Sequence, residues 1–345
     1  LAFQGRGFAS DTRFGRIKSD SIAGYAQVTV PLGEATDVTA GVRYTHDKKD
    51  YDARQILTPL VGTPTVISRE DSETWSKLTW RGAISHRFSD NFNAYASVSR
   101  GYKSGQFAIL NPANAVIDPE TLTAYEVGFK SDLFDRRVRF NASYFHYDNK
   151  NIQLDQIIAG QQFLLNAAAA KVDGLDADLV VRLGGFSLSA SGSYLFRNEY
   201  VRFPDAPGQV VNPVPPNCTN PAQCGGNSSI LVDASGNDMV RSPTFSGSLT
   251  AGYDLPTDIG TFGVSATLIH NSGFAWEASN RVRQPSYDLV NGQISWRAPD
   301  DRMRLRLWAK NLFDKSYGVG FSSSITASQS YGAPRTYGLS LDMEF

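Results

Sequence analysis

Four histidines, two cysteines and a short run of aspartates are the side chains of this sequence best suited to metal or acid–base chemistry. His46, His86, His146 and His270 are scattered, none within ligand spacing of another His or Cys, so no metal site is expected from them. Cys218 and Cys224 lie in a Pro/Asn/Gly-rich stretch, with no His between residues 147 and 269. A disulfide in an oxidising compartment is the preferred reading of the pair, and two free thiols the alternative. Asp173, Asp176 and Asp178 look like the start of a calcium loop, but the downstream Glu of that motif is missing. Gly101–Gly105 contains Lys103 without phosphate-loop spacing. No Ser–His pairing is readable. These residues point away from an enzyme and from a resident cofactor, and towards charges and aromatics that act by binding.

Strands must position those groups. Alternation of apolar and polar residues dominates the chain. In Arg302–Lys310, Leu305, Leu307 and Ala309 share one face, and Arg304, Arg306, Trp308 and Lys310 the other. Tyr125, Val127 and Phe129 likewise alternate with Glu126, Gly128 and Lys130. Thirteen such segments are expected, near 21–31, 37–50, 72–88, 91–104, 119–133, 137–157, 162–183, 186–200, 241–255, 260–275, 282–298, 301–317 and 329–345. None carries a capped 3.6-residue period, so almost no helix is expected. Short turns such as Gly184–Gly185 alternate strictly with longer connections at 51–71, 105–118, 158–161, 201–240, 276–281 and 318–328. All the long loops then emerge on one rim of an up-and-down antiparallel sheet.

A soluble barrel or sandwich would turn its apolar face inward. Three features favour a membrane barrel. Many segments exceed the roughly five or six residues of soluble strands. The polar face carries Arg43, Arg81, Arg139, Arg182, Arg304, Arg306, Glu126, Asp176 and Asp178, costly in a dry core and ordinary in a wet lumen. Trp75, Trp80, Tyr194, Phe196, Tyr253 and Trp296 lie near segment ends, as interfacial girdles do. No apolar run approaches the roughly 18 residues of a spanning helix. A net charge of −1 argues against a strongly basic nucleic-acid binder, and 41% hydrophobic residues against disorder. Tyr337, Leu339, Leu341, Met343 and Phe345 share one face of the last segment, as expected of the terminal strand recognised during outer-membrane insertion. Tyr102, Phe107, Phe274, Trp276, Tyr317, Phe321 and Tyr331 fall near the long-loop rim. They are either the first contacts of a docking solute or part of the outer girdle.

The run Pro119-Glu120-Thr121-Leu122-Thr123-Ala124-Tyr125-Glu126-Val127-Gly128-Phe129-Lys130-Ser131 resembles a mid-barrel signature of the TonB-dependent outer-membrane receptors. Arg100–Phe107, Asn149–Gln153, Asn311–Tyr317 and Gly332–Leu339 are similar to further stretches of that family, in the family's order. The resemblance implies the last thirteen strands of a barrel of about 22, without the plug domain and TonB box that precede it. It implies a Gram-negative outer membrane and active import of a scarce large solute, most often a ferric siderophore or related iron complex. Implied partners are the TonB complex, lipid and lipopolysaccharide, and the barrel-assembly machinery. The lumen arginines either draw an anionic chelate or pair with acidic residues on the plug or on neighbouring strands. A passive porin and an outer-membrane barrel enzyme are the alternative functions. Leu1–Gly7 carries neither an initiator Met nor a signal-peptide pattern, so a processed or truncated piece of a longer protein is expected, forming one barrel domain over 1–345.

Overall fold

The computed structural model describes residues 8–158, 161–211, 217, 227–323 and 327–344. The disulfide expected of Cys218 and Cys224, and Phe345, lie outside the described residues. The strands are β1 (Phe8–Leu32), β2 (Thr36–Pro59), β3 (Thr65–Ser89), β4 (Phe92–Lys103), β5 (Glu120–Leu133), β6 (Val138–Ile158), β7 (Gln161–Leu183), β8 (Phe186–Arg202), β9 (Ala206–Val211), β10 (Asn227–Val232), β11 (Phe245–Thr257), β12 (Gly260–Asn271), β13 (Phe274–Ala275), β14 (Arg283–Gln284), β15 (Tyr287–Arg297), β16 (Met303–Lys310), β17 (Gly318–Ser323), β18 (Ala327–Tyr331) and β19 (Thr336–Met343). Thirteen of them form one sheet in the order β1–β8, β11, β12, β15, β16, β19. Every neighbouring pair in it is antiparallel. The sheet is open, with β1 and β19 at its edges. The other six strands pair as three small hairpins inside the long connections. No helix occurs among the described residues.

Tight turns join the strands along one rim. Gly184 (φ 59°) takes the left-handed conformation that a two-residue hairpin turn requires, and Gly33 (φ 74°) and Asp301 (φ 60°) take it in the longer turns at 33–35 and 298–302. The opposite rim differs from the sequence expectation. The loop expected at 51–71 shrinks to residues 60–64, because β2 runs on to Pro59 and β3 begins at Thr65. Alternation persists there: Tyr51, Ala53 and Gln55 continue the polar-face positions and are buried. Conversely, the strand expected to reach residue 317 stops at Lys310, where Asn311 turns the chain with φ 48°.

The two faces of the sheet are chemically distinct. Val42 faces Trp80 across β2 and β3, Val127 faces Tyr144 and Tyr144 faces Leu175 further along, and Val264, Ile294, Leu307 and Leu339 continue the row to β19. These side chains are uncovered: Val264 is 54% exposed, Leu307 56% and Leu339 68%. Tyr337, Leu341 and Met343 lie on the same exposed face of β19. On the opposite face, Arg81 sits across from Gly41 and Ser99, Glu126 from Ser97, Asp176 from Ser143 and Ser193, and Arg306 from Ser295 and Ser340. Arg43, Asp178 and Arg304 belong to this polar face too. An apolar face left uncovered on strands this long is stable against hydrocarbon, with the charged face towards water.

Candidate functional site

Beyond the apolar belt, on the long-loop rim, the strands and connections build a crown. Among the described residues, all the buried hydrophobic ones except Phe145 belong to it. Two clusters organise it.

The first joins Tyr51, Ala53 and Phe107, with Ile17, Trp75 and Val116 around them. β4 is short, and the connection after it, residues 104–119, folds back over the polar face of β1–β3. Phe107 stacks on Tyr51 (centroids 4.7 Å apart, planes 9° apart) and meets the edge of Trp75 at 6.3 Å. The Arg69 guanidinium lies 5.7 Å from the Phe107 ring centre. Lys49 Nζ donates to the Gly105 carbonyl (2.7 Å) and Tyr51 Oη to that of Ala108 (2.9 Å). Burial pushes the Tyr51 phenol up and the Lys49 ammonium down from their ordinary values. The hydrogen bond from Arg69 holds the Asp71 carboxyl below the usual carboxylate range.

The second cluster holds Ile152, Ala170, Tyr200, Phe203, Ala206, Ala234 and Ala278. It knits the tops of β6–β8 to residues 203–206 and 232–239 and to the connection 272–286. Asn237 donates to the Ala278 carbonyl and Asn280 to that of Asp238, both at 2.9 Å. Beside it, Phe274 meets Trp276 edge-on at 4.8 Å, Trp276 lies 6.2 Å from Phe321, and Arg241 sits 5.3 Å over the indole. Tyr287 stacks on Tyr317 at 4.9 Å, and buried Gln284 accepts from the Gly318 amide at 2.9 Å.

The rim aromatics singled out in the sequence therefore fall into two groups. Phe274, Trp276 and Phe321 come together with Arg241, and Tyr317 pairs with Tyr287 close by. Tyr102 and Phe107 belong with β1–β3 instead: the Tyr102 hydroxyl donates to Asp47, and Phe107 is only 3% exposed. Tyr331 is exposed. Phe107 is thus committed to packing and has little surface left for a solute. Trp75, expected in the outer girdle, lies on the polar face, because it stands an odd five positions before the outward Trp80. The sequence reading missed Lys49, Tyr51, Arg69, Gln153, Arg241 and Gln284. The alternation of Tyr51, Ala53 and Gln55 past the expected strand end was the available signal for part of that set.

The four histidines sit on separate strands, and Ser76, Thr36, Asp173 and Asp288 accept or donate at their ring nitrogens. Among the described residues no group of three His, Cys, Asp or Glu could hold a metal ion. The polar face below the crown borders a cavity of about 760 Å³, lined by Tyr95, Lys130, Asn141, Asp176, Ser193 and Tyr287 among others.

A family model described as the TonB-dependent receptor-like β-barrel matches residues 3–312. The chain belongs to this family. It is 22% identical over 336 residues to the pesticin receptors of Yersinia pestis and Yersinia enterocolitica, covering 96% of this chain and 45% of each relative. The chain therefore spans about half the length of these curated relatives. The ferric yersiniabactin uptake receptor of Yersinia pestis superposes with a TM-score of 0.76 at 18% identity, covering 97% of this chain and 47% of that one. A siderophore receptor of Acinetobacter baumannii gives 0.71 at 20% identity, covering 96% and 44%. The ferric-catecholate import receptor of E. coli in its closed form gives 0.70 at 17%, covering 96% and 45%. At these identities the superpositions establish the fold. The matched relatives are transport receptors and not enzymes.

Proposed function

We propose that this chain forms the larger part of the barrel wall of a Gram-negative outer-membrane receptor. The receptor imports a ferric siderophore or related iron complex with energy delivered through TonB. In this reading the barrel has about 22 strands, and the plug and TonB box are supplied by segments outside the 345 residues. The outward belt meets lipid and lipopolysaccharide, and β19 engages the barrel-assembly machinery. Glu126, Asp176, Asp178, Arg43, Arg81, Arg304 and Arg306 face the plug or the passing solute. Phe274, Trp276, Tyr317, Phe321 and Tyr331, with Arg241, are the solute contacts, and Tyr102 stands at the mouth.

The observation that carries this reading is the crown of a family-matched barrel. Aromatic rings and a guanidinium cluster on the long-loop rim above a polar wall. Such a set suits a large chelate with planar apolar parts and negative charge. Related receptors are named for ferric yersiniabactin and ferric catecholates.

Uptake of radiolabelled iron tests it, in cells lacking other iron receptors and supplied with ferric yersiniabactin or ferric enterobactin. Uptake that stops when the inner-membrane proton gradient collapses is expected. Uptake that continues without the gradient would show a passive channel. No uptake of either chelate, with the protein displayed at the surface, would remove the siderophore assignment.

A further inference from the structure

We propose that the connection 104–119 is a fixed inner wall of the solute mouth and not a lid, and that Gly15, Lys49, Tyr51, Arg69 and Gln153 set its path and so the contour that a chelate meets. The transport role of the wall rests on the reading above; its rigidity does not.

The anchors lie on four strands, a fifth, β7, adding the Leu164 backbone, and they grip the loop mainly by its backbone. Carbonyls of Gly105, Ala108 and Asn114 accept from Lys49, Tyr51 and Arg69 on β2 and β3. On the other flank, Gln153 of β6 clamps both feet of the loop. Its Nε2 donates to the carbonyls of Ser104 (2.9 Å) and Asp118 (3.0 Å), and its Oε1 accepts from Gln106 (3.0 Å). Asn114 exchanges two hydrogen bonds with the backbone of Leu164 on β7 (2.9 and 3.2 Å). The loop is closed on itself by reciprocal amide bonds between Gln106 and Ile117 (3.0 and 2.9 Å).

Close approach supplies a second line of support. A Cβ at Gly15 on β1 would run into the Ile109 carbonyl, and one at Gly105 into the Trp75 ring. Both glycines let the loop lie flat against the strands. Phe107, Asn111, Asn114 and Ile117 are all buried, whereas segments that open in function have few buried contacts. Bonds to main-chain carbonyls fix the path whatever side chains the loop carries. Ile109, Leu110, Ala113 and Ala115 remain exposed on it and are free to line the mouth.

Spin labels at the exposed positions Ala113 and Ser68 of the complete receptor in detergent test the wall. One narrow separation is expected, unchanged by ferric yersiniabactin or ferric enterobactin. Two separations, or one that shifts when either chelate is added, would overturn it. Gly15→Val is expected to broaden the separation while keeping β1, since a β-branched residue suits a strand. For whichever chelate is taken up, this variant should raise KM severalfold at unchanged maximal rate, because the wall touches docked solute and not the coupling step. A maximal rate that falls at unchanged KM marks a loop that must move, and sinks the proposal. Failure of chelate uptake by the unaltered protein removes the transport reading alone; the spin-label separation reports on the loop whatever the solute.

Discussion

The belt and the crown are made by the same strands and obey opposite rules. In the belt, Val264, Ile294 and Leu307 stand uncovered on one face while serines and charges occupy the other. In the crown, apolar side chains are buried under loops: Tyr51 is 2% exposed and Tyr200 1%. β2 shows both within one strand, with Val42 outward in the belt and Tyr51 inward in the crown. The difference is the solvent. Hydrocarbon covers the belt at no cost in buried area, so its apolar residues need no protein partner. The crown stands in water and must build its own cores, small ones that depend on loops returning to the sheet.

The sharpest way to break that contrast is to hollow a crown core. Tyr200→Ala removes a ring that packs edge-on against Phe203 at 5.3 Å, and truncating such an aromatic costs about 3–5 kcal/mol. Hydrogen exchange should quicken in the upper ends of β7 and β8 and in residues 233–240, with belt amides unchanged. Faster exchange throughout the sheet would show that crown and belt unfold as one unit, and the contrast would fall.

The converse test charges the belt. Leu307→Arg places a guanidinium on the uncovered apolar face, and a lipid-facing Arg near the bilayer centre costs about 2–4 kcal/mol. Ser189→Arg, on the polar face of β8, should cost far less. Urea titration of protein refolded into vesicles reads both. Equal losses for the two variants would mean that the faces are wrongly assigned.

The same contrast explains what was legible in the sequence. Belt strands carry their instruction locally, since each alternation of Leu305, Arg306 and Leu307 states which side meets which medium, and thirteen alternating segments become a thirteen-stranded sheet. The crown is written non-locally. Nothing near Tyr51 announces Phe107, and nothing near Ser104 announces Gln153. The partners are distant in sequence, so burial arises only once the loop has folded back. Hence Phe107 reads as a free rim aromatic, whereas the strand at 51–59 is marked locally by the continued alternation of Tyr51, Ala53 and Gln55. Trp75 is a different case: its odd position against the even Trp80 already marked it for the polar face.

Within the crown, single hydrogen bonds offer a finer comparison. Gln284 is 4% exposed, and its Oε1 is the acceptor for the Gly318 amide, tying the connection between β12 and β15 to the one between β16 and β19. Gln284→Ala leaves that buried donor unpaired, at about 1–3 kcal/mol. Limited proteolysis should then cut in 311–323 faster, while residues 104–119 keep their protection. Equal sensitivity in both places would mean that the two sides of the crown are coupled.

The smallest effect separates the two sides by pH. Arg69 lies 2.6 Å from Asp71 and also donates to the Asn114 carbonyl, so the carboxylate helps to aim the guanidinium at the loop. The folded Asp71 titrates below its ordinary 3.8. Its contribution is therefore complete above that value and is lost as pH falls through the lower folded one. The pair is partly open to water, so the loss is small. Exchange of the Gln106 and Ile117 amides, corrected for intrinsic rates, should stay flat down to the ordinary carboxylate range and rise only below it. Asp71→Asn should remove that rise. A rise that begins well above 3.8, or that survives the substitution, would assign the acid sensitivity of the loop to another group.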